Sequence, residues 1–381
     1  MTHSHPPRQK GPIGLGLCGI GRTGFGRIQA ELATLLGSHA KFQVVAGYDL
    51  IRDRAQKLSQ TIGATSHPTF PALLADPRVE VVVVATRSDT HAELATLALL
   101  AGKHVVIEKP IAIDLPQADA LLAYARSAPG QLLVRLNRRF DPAFLAVRHA
   151  VDRGLTGPLH SVQIRVGDYV PRHDWQTLRK FGGGQLLNWG PHVIDWALEL
   201  IGPTATDIWA HTRLVAAAGD AEDHFKLLLR GTTGIVADIE VSSASSAPQP
   251  LFTLQGQRGA AVTSDARLHI RYLQQPHDRA HLRVDENTPP LDDTRHKVGN
   301  LRWLVEDSDL QTAPATPPPG SAYWTAVWDT VRNHRPFPIT LDRAREVMRI
   351  IDIARSLASR DPTSPSAAPS PPASAPPAHC L

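Results

Sequence analysis

Apolar runs and amphipathic stretches take turns along the first third of the chain. Residues 13–18, 42–48, 79–85, 104–107 and 131–136 are short runs rich in valine, isoleucine and leucine. Such runs are expected of strands with no solvated face. Between them, residues 22–36, 52–62, 90–100 and 115–126 space their apolar side chains as amphipathic helices do. A weaker run at 64–67 completes six strands. Regular strand–helix alternation predicts an α/β domain over residues 12–137, a doubly wound parallel sheet with helices on both faces.

The pattern changes after Arg139. Residues 159–169 read as a long strand, followed by the glycine-rich loop 182–184 and a helix over about 191–200. Strand-like segments then follow in series at 207–214, 225–230, 235–242, 251–257, 260–263 and 268–273. Strands without intervening helices predict a second, α+β domain over residues 138–360 with a largely antiparallel, open-faced sheet. Residues 274–319 are polar and proline-containing and read as a long loop. Residues 321–335 and 341–359 read as closing helices. The final stretch, DPTSPSAAPSPPASAPPAHCL (361–381), is too poor in large apolar groups to offset ordering entropy and reads as a disordered tail. Residues 1–11 read as a second, polar tail.

A length of 381 residues suits two domains, each with its own core. Hydrophobic residues at 42% and charged ones at 20% are ordinary for a globular protein. The net charge of +4, without a dense Lys/Arg block, suits anionic ligands such as dinucleotides and argues against nucleic acid. Cys18 and Cys380 lie at opposite ends of the chain, so a disulfide is not expected and a reducing cytoplasm fits. The N-terminus lacks an apolar signal core, and no apolar run reaches the length of a membrane span. No metal is expected.

Gly19-Ile20-Gly21-Arg22-Thr23-Gly24 fits the G-x-G-x-x-G fingerprint between a predicted strand and a predicted helix. Gly19 would make the tight turn, Gly21 would admit the pyrophosphate, and Gly24 would let the helix pack closely. Asp49 ends the second strand, where a carboxylate can hold an adenosine ribose and repel a 2′-phosphate. That favours NAD, although Arg52 and Arg54 leave NADP open. Asp49 could instead cap the following helix, or serve as both. Thr86, Arg87 and His91 follow the fourth strand and would line the nicotinamide side; His91 is open to a capping or packing role. Glu108 and Lys109 end the fifth strand at Glu108-Lys109-Pro110, on the sheet edge where open α/β sheets bind ligands.

These elements together resemble the Gfo/Idh/MocA oxidoreductase family, the group of glucose–fructose oxidoreductase and inositol dehydrogenase. The matching segments are the glycine fingerprint, Ala98-Leu99-Leu100-Ala101-Gly102-Lys103-His104-Val105, Glu108-Lys109-Pro110, Asn137-Arg138-Arg139-Phe140-Asp141-Pro142, and the stretch from Gly182 to Asp195. The resemblance spans about residues 13–359. It implies a Rossmann domain binding NAD(P), a second domain whose open sheet supports a homo-oligomer (dimer or tetramer), and a small-molecule substrate between them. Members typically oxidise or reduce a hydroxyl or carbonyl on sugars, polyols and related molecules.

The resemblance places Lys109 at the active centre, where it would hydrogen-bond the reacting oxygen and stabilise developing charge. The second-domain pattern Asp-x-Gly-x-His-x-x-Asp reads here as Asn188-Trp189-Gly190-Pro191-His192-Val193-Ile194-Asp195. His192 is expected as the general acid/base, with an ordinary pKa near working pH. Asn188 replaces the usual aspartate and can position a hydroxyl but cannot take a proton. Asp195 would orient His192 or bind a substrate hydroxyl, unless it is structural. Arg87 stands where members often carry proline and could favour an anionic substrate, contact the cofactor or face solvent. Arg138 and Arg139 follow the sixth strand and would bind substrate or pair with acidic residues across the domain junction, and Trp175 and Trp189 would offer flat faces to a sugar ring unless they serve the core. Two alternatives stay open: a cofactor-binding regulator without turnover, which Asn188 keeps alive, and a reductase of an imine, enone or dihydrodiol.

Overall fold

The structure is a computed structural model that describes residues 11–33, 41–264, 266–275, 301–310 and 320–359. Nearly all of both expected tails, the last residues of the first expected helix, and most of the expected loop 274–319 lie outside these residues.

The first sheet contains β1 (Ile13–Cys18), β2 (Phe42–Tyr48), β3 (Thr65–Ser66), β4 (Val81–Val84), β5 (His104–Glu108) and β6 (Leu132–Arg135). All its pairs are parallel, in the order β3-β2-β1-β4-β5-β6. Every residue of β1 and β4 is buried, so both faces need cover. The cover comes from α1 (Ile28–Ala33), α2 (Arg52–Ile62), α3 (Phe70–Ala75), α4 (His91–Leu100) and α5 (Leu115–Ala125). The helix expected from residue 22 begins instead as a π-helical turn, Arg22–Arg27, which passes into α1. Helix α3 has no counterpart in the sequence pattern, because six residues are too few to show a period. Its start is written in Thr69, which caps the Ala72 N–H at 3.2 Å, and in Pro71 in the first turn. The strand order changes direction between β1 and β4, which opens a crevice at their carboxyl ends.

The second sheet contains β7 (Leu159–Gly167), β8 (Ala205–Arg213), β9 (His224–Gly231), β10 (Val236–Ser242), β11 (Phe252–Gly256), β12 (Gly259–Ser264), β13 (Arg267–Leu273) and β14 (Trp303–Asp309). Its order is β14-β13-β12-β11-β7-β10-β9-β8, and β7 with β10 is its one parallel pair. Strand β14 corrects the sequence reading, which placed these residues in a loop. Its last four residues are polar, so it shows no apolar period. What holds it is pairing with β13, reinforced by His269–Asp307 at 2.6 Å and Tyr272–Glu306 at 2.8 Å. One face of the sheet buries Ile164, Phe225, Leu227, Ile239 and Phe252 against α6 (Pro142–Asp152) and α8 (Gly190–Ile201), the latter preceded by the short α7 (Gln185–Asn188). Helix α6, like α3, was not expected from the sequence. On the opposite face the register aligns Trp209, Leu228, Asp238 and Gln163 in one open row.

Helix α9 (Ser321–Asn333) returns to the first sheet. Trp324 meets Phe42 edge-on at 5.3 Å and donates to Glu31 at 3.0 Å, while Arg332 pairs with Glu80. Helix α10 (Leu341–Ser359) lies between α5 and β8 and joins Arg345 to Asp119. The segment that the sequence pattern attaches to the second domain therefore ties both domains together. Periodicity shows that α9 has an apolar face, not which core receives it. No helix among the described residues is long and apolar enough to cross a membrane.

Candidate active site

The glycine turn after β1 is shaped as a cradle. Gly19 has φ +91°, and a Cβ there would stand 2.7 Å from the Ala85 carbonyl carbon. A Cβ on Gly24 would stand 1.9 Å from the Gly19 oxygen, so the helix lies flush on the turn. Gly21 is different: a Cβ would meet nothing nearer than the Arg54 Nη1 at 3.9 Å, leaving its approach open. Ile20 buries its side chain and donates its N–H to the Asp49 Oδ2 at 2.6 Å, while the Asp49 Oδ1 accepts from Ile51 at 2.8 Å. Asp49 thus orders the turn and still has lone pairs for a ribose hydroxyl. Arg54 stands 3.9 Å from it. An open glycine, a positive-φ turn and a strand-end carboxylate together fit a dinucleotide.

A cavity of about 240 Å³ opens between the two domains. From the first domain it is lined by Arg22, Thr23, Thr86, His91, Glu108 and Lys109, and from the second by Arg172, Trp175, Asn188, Trp189 and His192. Thr86 pairs with Thr90 at 2.8 Å. His91 is buried with Nδ1 2.7 Å from the Pro110 carbonyl and Nε2 3.1 Å from that of Thr86, and burial lowers its pKa, so the neutral ring donates to one of these two carbonyls at the exits of β4 and β5. The Glu108 carboxylate is held by Arg135 at 2.6 Å, whose guanidinium also binds Glu31.

Lys109 and Asn188 join the two domains. The Lys109 Nζ donates to the Asn188 backbone oxygen at 2.8 Å and to its Oδ1 at 2.9 Å. The Asn188 Nδ2 donates to the Gln185 Oε1 at 3.2 Å, and the Gln185 Nε2 donates to the Ser243 Oγ at 2.5 Å. This amide chain fixes which Asn188 atom faces the lysine. Burial brings the Lys109 pKa down to about 8; Glu108 opposes the fall and Arg138 deepens it. His192 departs from expectation. Burial first, then Lys109 and Arg138, hold its pKa well below 6.5, so its ring is neutral rather than poised to titrate. Its Nδ1 is buried without a hydrogen-bond partner, and its ring meets Trp189 edge-on at 6.0 Å.

Three expected site residues lie elsewhere. Arg87 is exposed, forks onto Asp89 at 2.7 and 2.9 Å and stacks on Phe181 at 3.8 Å, so it does not line the cavity. Arg139 and Asp195 are buried against each other, with Arg343 and Glu199 beside them, and neither lines the cavity. Arg138 lines it instead, stacked on Trp189 at 4.2 Å and bonded to Asp141 at 2.9 Å. The reason is local: Asn137–Phe140 forms a 3₁₀ turn, whose three residues per turn aim neighbouring side chains apart. The sequence offered both arginines either role, and the structure gives Arg138 to the cavity and Arg139 to the ion pair. Arg27, Arg172, Gln176 and Gln185 were missed; they lie outside the strand ends and the histidine motif.

The family model described as oxidoreductase family, NAD-binding Rossmann fold, matches residues 13–136, and that of the GFO/IDH/MocA C-terminal domain matches 144–262. The chain belongs to the Gfo/Idh/MocA oxidoreductase family. Its first domain is therefore an NAD-binding Rossmann domain, and its second is that family's C-terminal domain. Among this family member's relatives, inositol 2-dehydrogenase of Rhizobium meliloti is 31% identical over 254 residues, 65% of this chain and 76% of the relative. The uncharacterized oxidoreductase YdgJ of Escherichia coli is 28% identical over 300 residues, 77% of this chain and 82% of the relative. An NAD-binding protein of Listeria innocua shares the fold at TM-score 0.74 and 24% identity, covering 92% of this chain and 98% of that one.

Proposed function

We propose that the protein transfers a hydride between NAD and a hydroxyl- or carbonyl-bearing carbon of a sugar, a polyol such as an inositol, or a sugar acid. The observation that carries this reading is Lys109 bridging to Asn188 beside a neutral His192 whose Nδ1 is buried without a hydrogen-bond partner, with all three residues lining the cavity that the glycine cradle enters. Gly19 to Gly24 and Asp49 would hold the dinucleotide, which when bound accepts or returns the hydride. In oxidation the substrate O–H proton passes to the neutral Lys109 amine as the C–H hydride leaves, and a carbonyl forms. In reduction the ammonium returns that proton to the oxygen. His192, uncharged and lining the cavity, holds the reacting or adjacent hydroxyl. The relative named inositol 2-dehydrogenase supports a polyhydroxylated substrate. The open face bearing Trp209, half exposed, and Leu228 supports a homo-oligomer through the second sheet.

The test incubates the protein with NAD and a panel of inositols, hexoses and aldonates, and with NADH and the corresponding ketones, following the reduced nicotinamide by absorbance. Turnover on any of them supports the reading. Tight cofactor binding with silence across both panels overturns it in favour of a regulator, the role that an amide at Asn188 leaves open.

A further inference from the structure

The charge of the cavity exceeds what a dinucleotide needs. Its charged lining comprises five cationic side chains, Arg22, Arg27, Lys109, Arg138 and Arg172, against one carboxylate, Glu108. That carboxylate is already engaged by the buried Arg135. Arg22 and Arg27 flank the glycine turn, where the cofactor's phosphates would lie. Arg138 and Arg172 belong to the other wall, with Trp189 and Asn188.

Neither of these two arginines is used up by its protein partners. Arg138 gives Nη1 to Asp141 and sits over the Trp189 ring, 4.2 Å from its centre, and no described contact occupies its Nε or Nη2. Arg172 gives Nη2 to Asp174 at 2.5 Å and to Gln176, and no described contact occupies its Nε or Nη1. A guanidinium held by its face, with its edge free, suits an oxyanion that accepts parallel hydrogen bonds. Besides burial, Arg138 helps to depress Lys109 and His192, so an anion docked on it also returns basicity to the reacting groups.

We infer that the substrate is a polyhydroxylated molecule carrying an oxyanion, a carboxylate or a phosphate ester, which Arg138 and Arg172 grip while its hydroxyl-bearing carbon faces Lys109. This rests on the hydride-transfer reading and narrows it.

The test compares matched compounds: neutral hexoses and polyols, the uronates and aldonates derived from them, and their phosphate esters. The expected result is a kcat/KM at least about tenfold higher on one charged class, the scale of one charge-assisted hydrogen bond. The uronate and phosphate arms tell which oxyanion it is. In Arg138→Gln and Arg172→Gln that preference should collapse, mainly through KM, with NADH affinity by fluorescence titration changed less than about threefold. Arg138→Lys keeps the charge, loses the fork and should fall between, which keeps the test valid should the glutamine variant fail to fold. Equal or better turnover of neutral compounds overturns the inference and leaves hydride transfer standing. Loss of NADH affinity in parallel with turnover overturns it too, by giving the arginines to the cofactor. Absence of turnover, with Arg138-dependent binding of uronate or sugar phosphate to the NAD-loaded protein by calorimetry, sinks hydride transfer and keeps the oxyanion site. Absence of both sinks both.

Discussion

Replacing Lys109 by methionine separates a catalytic lysine from a structural one, because the structure gives opposing expectations for rate and stability. The fall of its pKa from 10.5 to about 8 corresponds to about 3 kcal/mol of penalty on the buried ammonium. The unfolded lysine keeps its proton up to about its ordinary pKa, so the penalty is full below pH 8 and is relieved as pH rises beyond it. Methionine removes that penalty but strands the Asn188 carbonyl and Oδ1, each losing a donor at about 1–3 kcal/mol. The two effects oppose each other, and Lys109→Met should unfold in urea within about 3 kcal/mol of the parent at pH 7. Its rate should not survive so well: losing a positioned proton carrier costs about a hundredfold or more. The pH dependence is the sharper signature. In the parent, kcat/KM for oxidation should rise through about pH 8 as the amine loses its proton, and that for reduction should fall; in Lys109→Met both slopes should flatten. Near-parental turnover with the slope intact would refute the assignment.

Asn188→Asp puts a carboxylate against the Lys109 Nζ, which favours the ammonium; the oxidation profile should move alkaline with peak activity kept, and total loss at every pH would mean that the amide holds substrate. Asp49→Asn removes the charge that repels a 2′-phosphate while Arg52 and Arg54 remain, so the NADPH-to-NADH affinity ratio by fluorescence titration should rise about tenfold, and an unchanged ratio would clear Asp49 of that role. Arg139→Leu leaves Asp195 buried with only the more distant Arg343, so the urea midpoint should fall by the equivalent of about 3 kcal/mol with KM little changed; a raised KM at parental stability would restore Arg139 to the substrate site.

The sequence was most legible where one physical rule acts locally. The valine run of β4, the glycine turn and the strand-ending Asp49 and Lys109 each follow from burial, backbone freedom or sheet topology. It was least legible where a partner distant in sequence decides. β14 is a strand because β13 lies beside it, and α9 crosses back because Phe42 and Glu31 receive Trp324. The site divides the same way. Strand ends pointed to Lys109, and the histidine motif pointed to His192. Neither could show that burial first, and then charges converging from Lys109, Arg138, Arg135 and Arg27, hold the imidazole neutral. Of the two arginines after β6, the sequence could not say which pairs and which faces the cavity; that is decided by the turn of a single residue.

Asn188 changes how the proposed chemistry would run. An aspartate in its place would sit within hydrogen-bond reach of the Lys109 Nζ and hold the lysine charged across the working range. The amide offers a dipole in place of a charge, so burial and the surrounding arginines prevail and the lysine's pKa comes down to about 8. In the proposed chemistry the amide at this position would leave the proton-carrying role to the lysine. It also makes that role depend on how Asn188 is oriented. Gln185 and Ser243 set the orientation by accepting and relaying the Nδ2 hydrogen bond. Were the amide to turn over, its NH₂ would face the ammonium, donor against donor, and the lysine would lose its side-chain acceptor. A residue that cannot itself take a proton thereby decides whether its neighbour can.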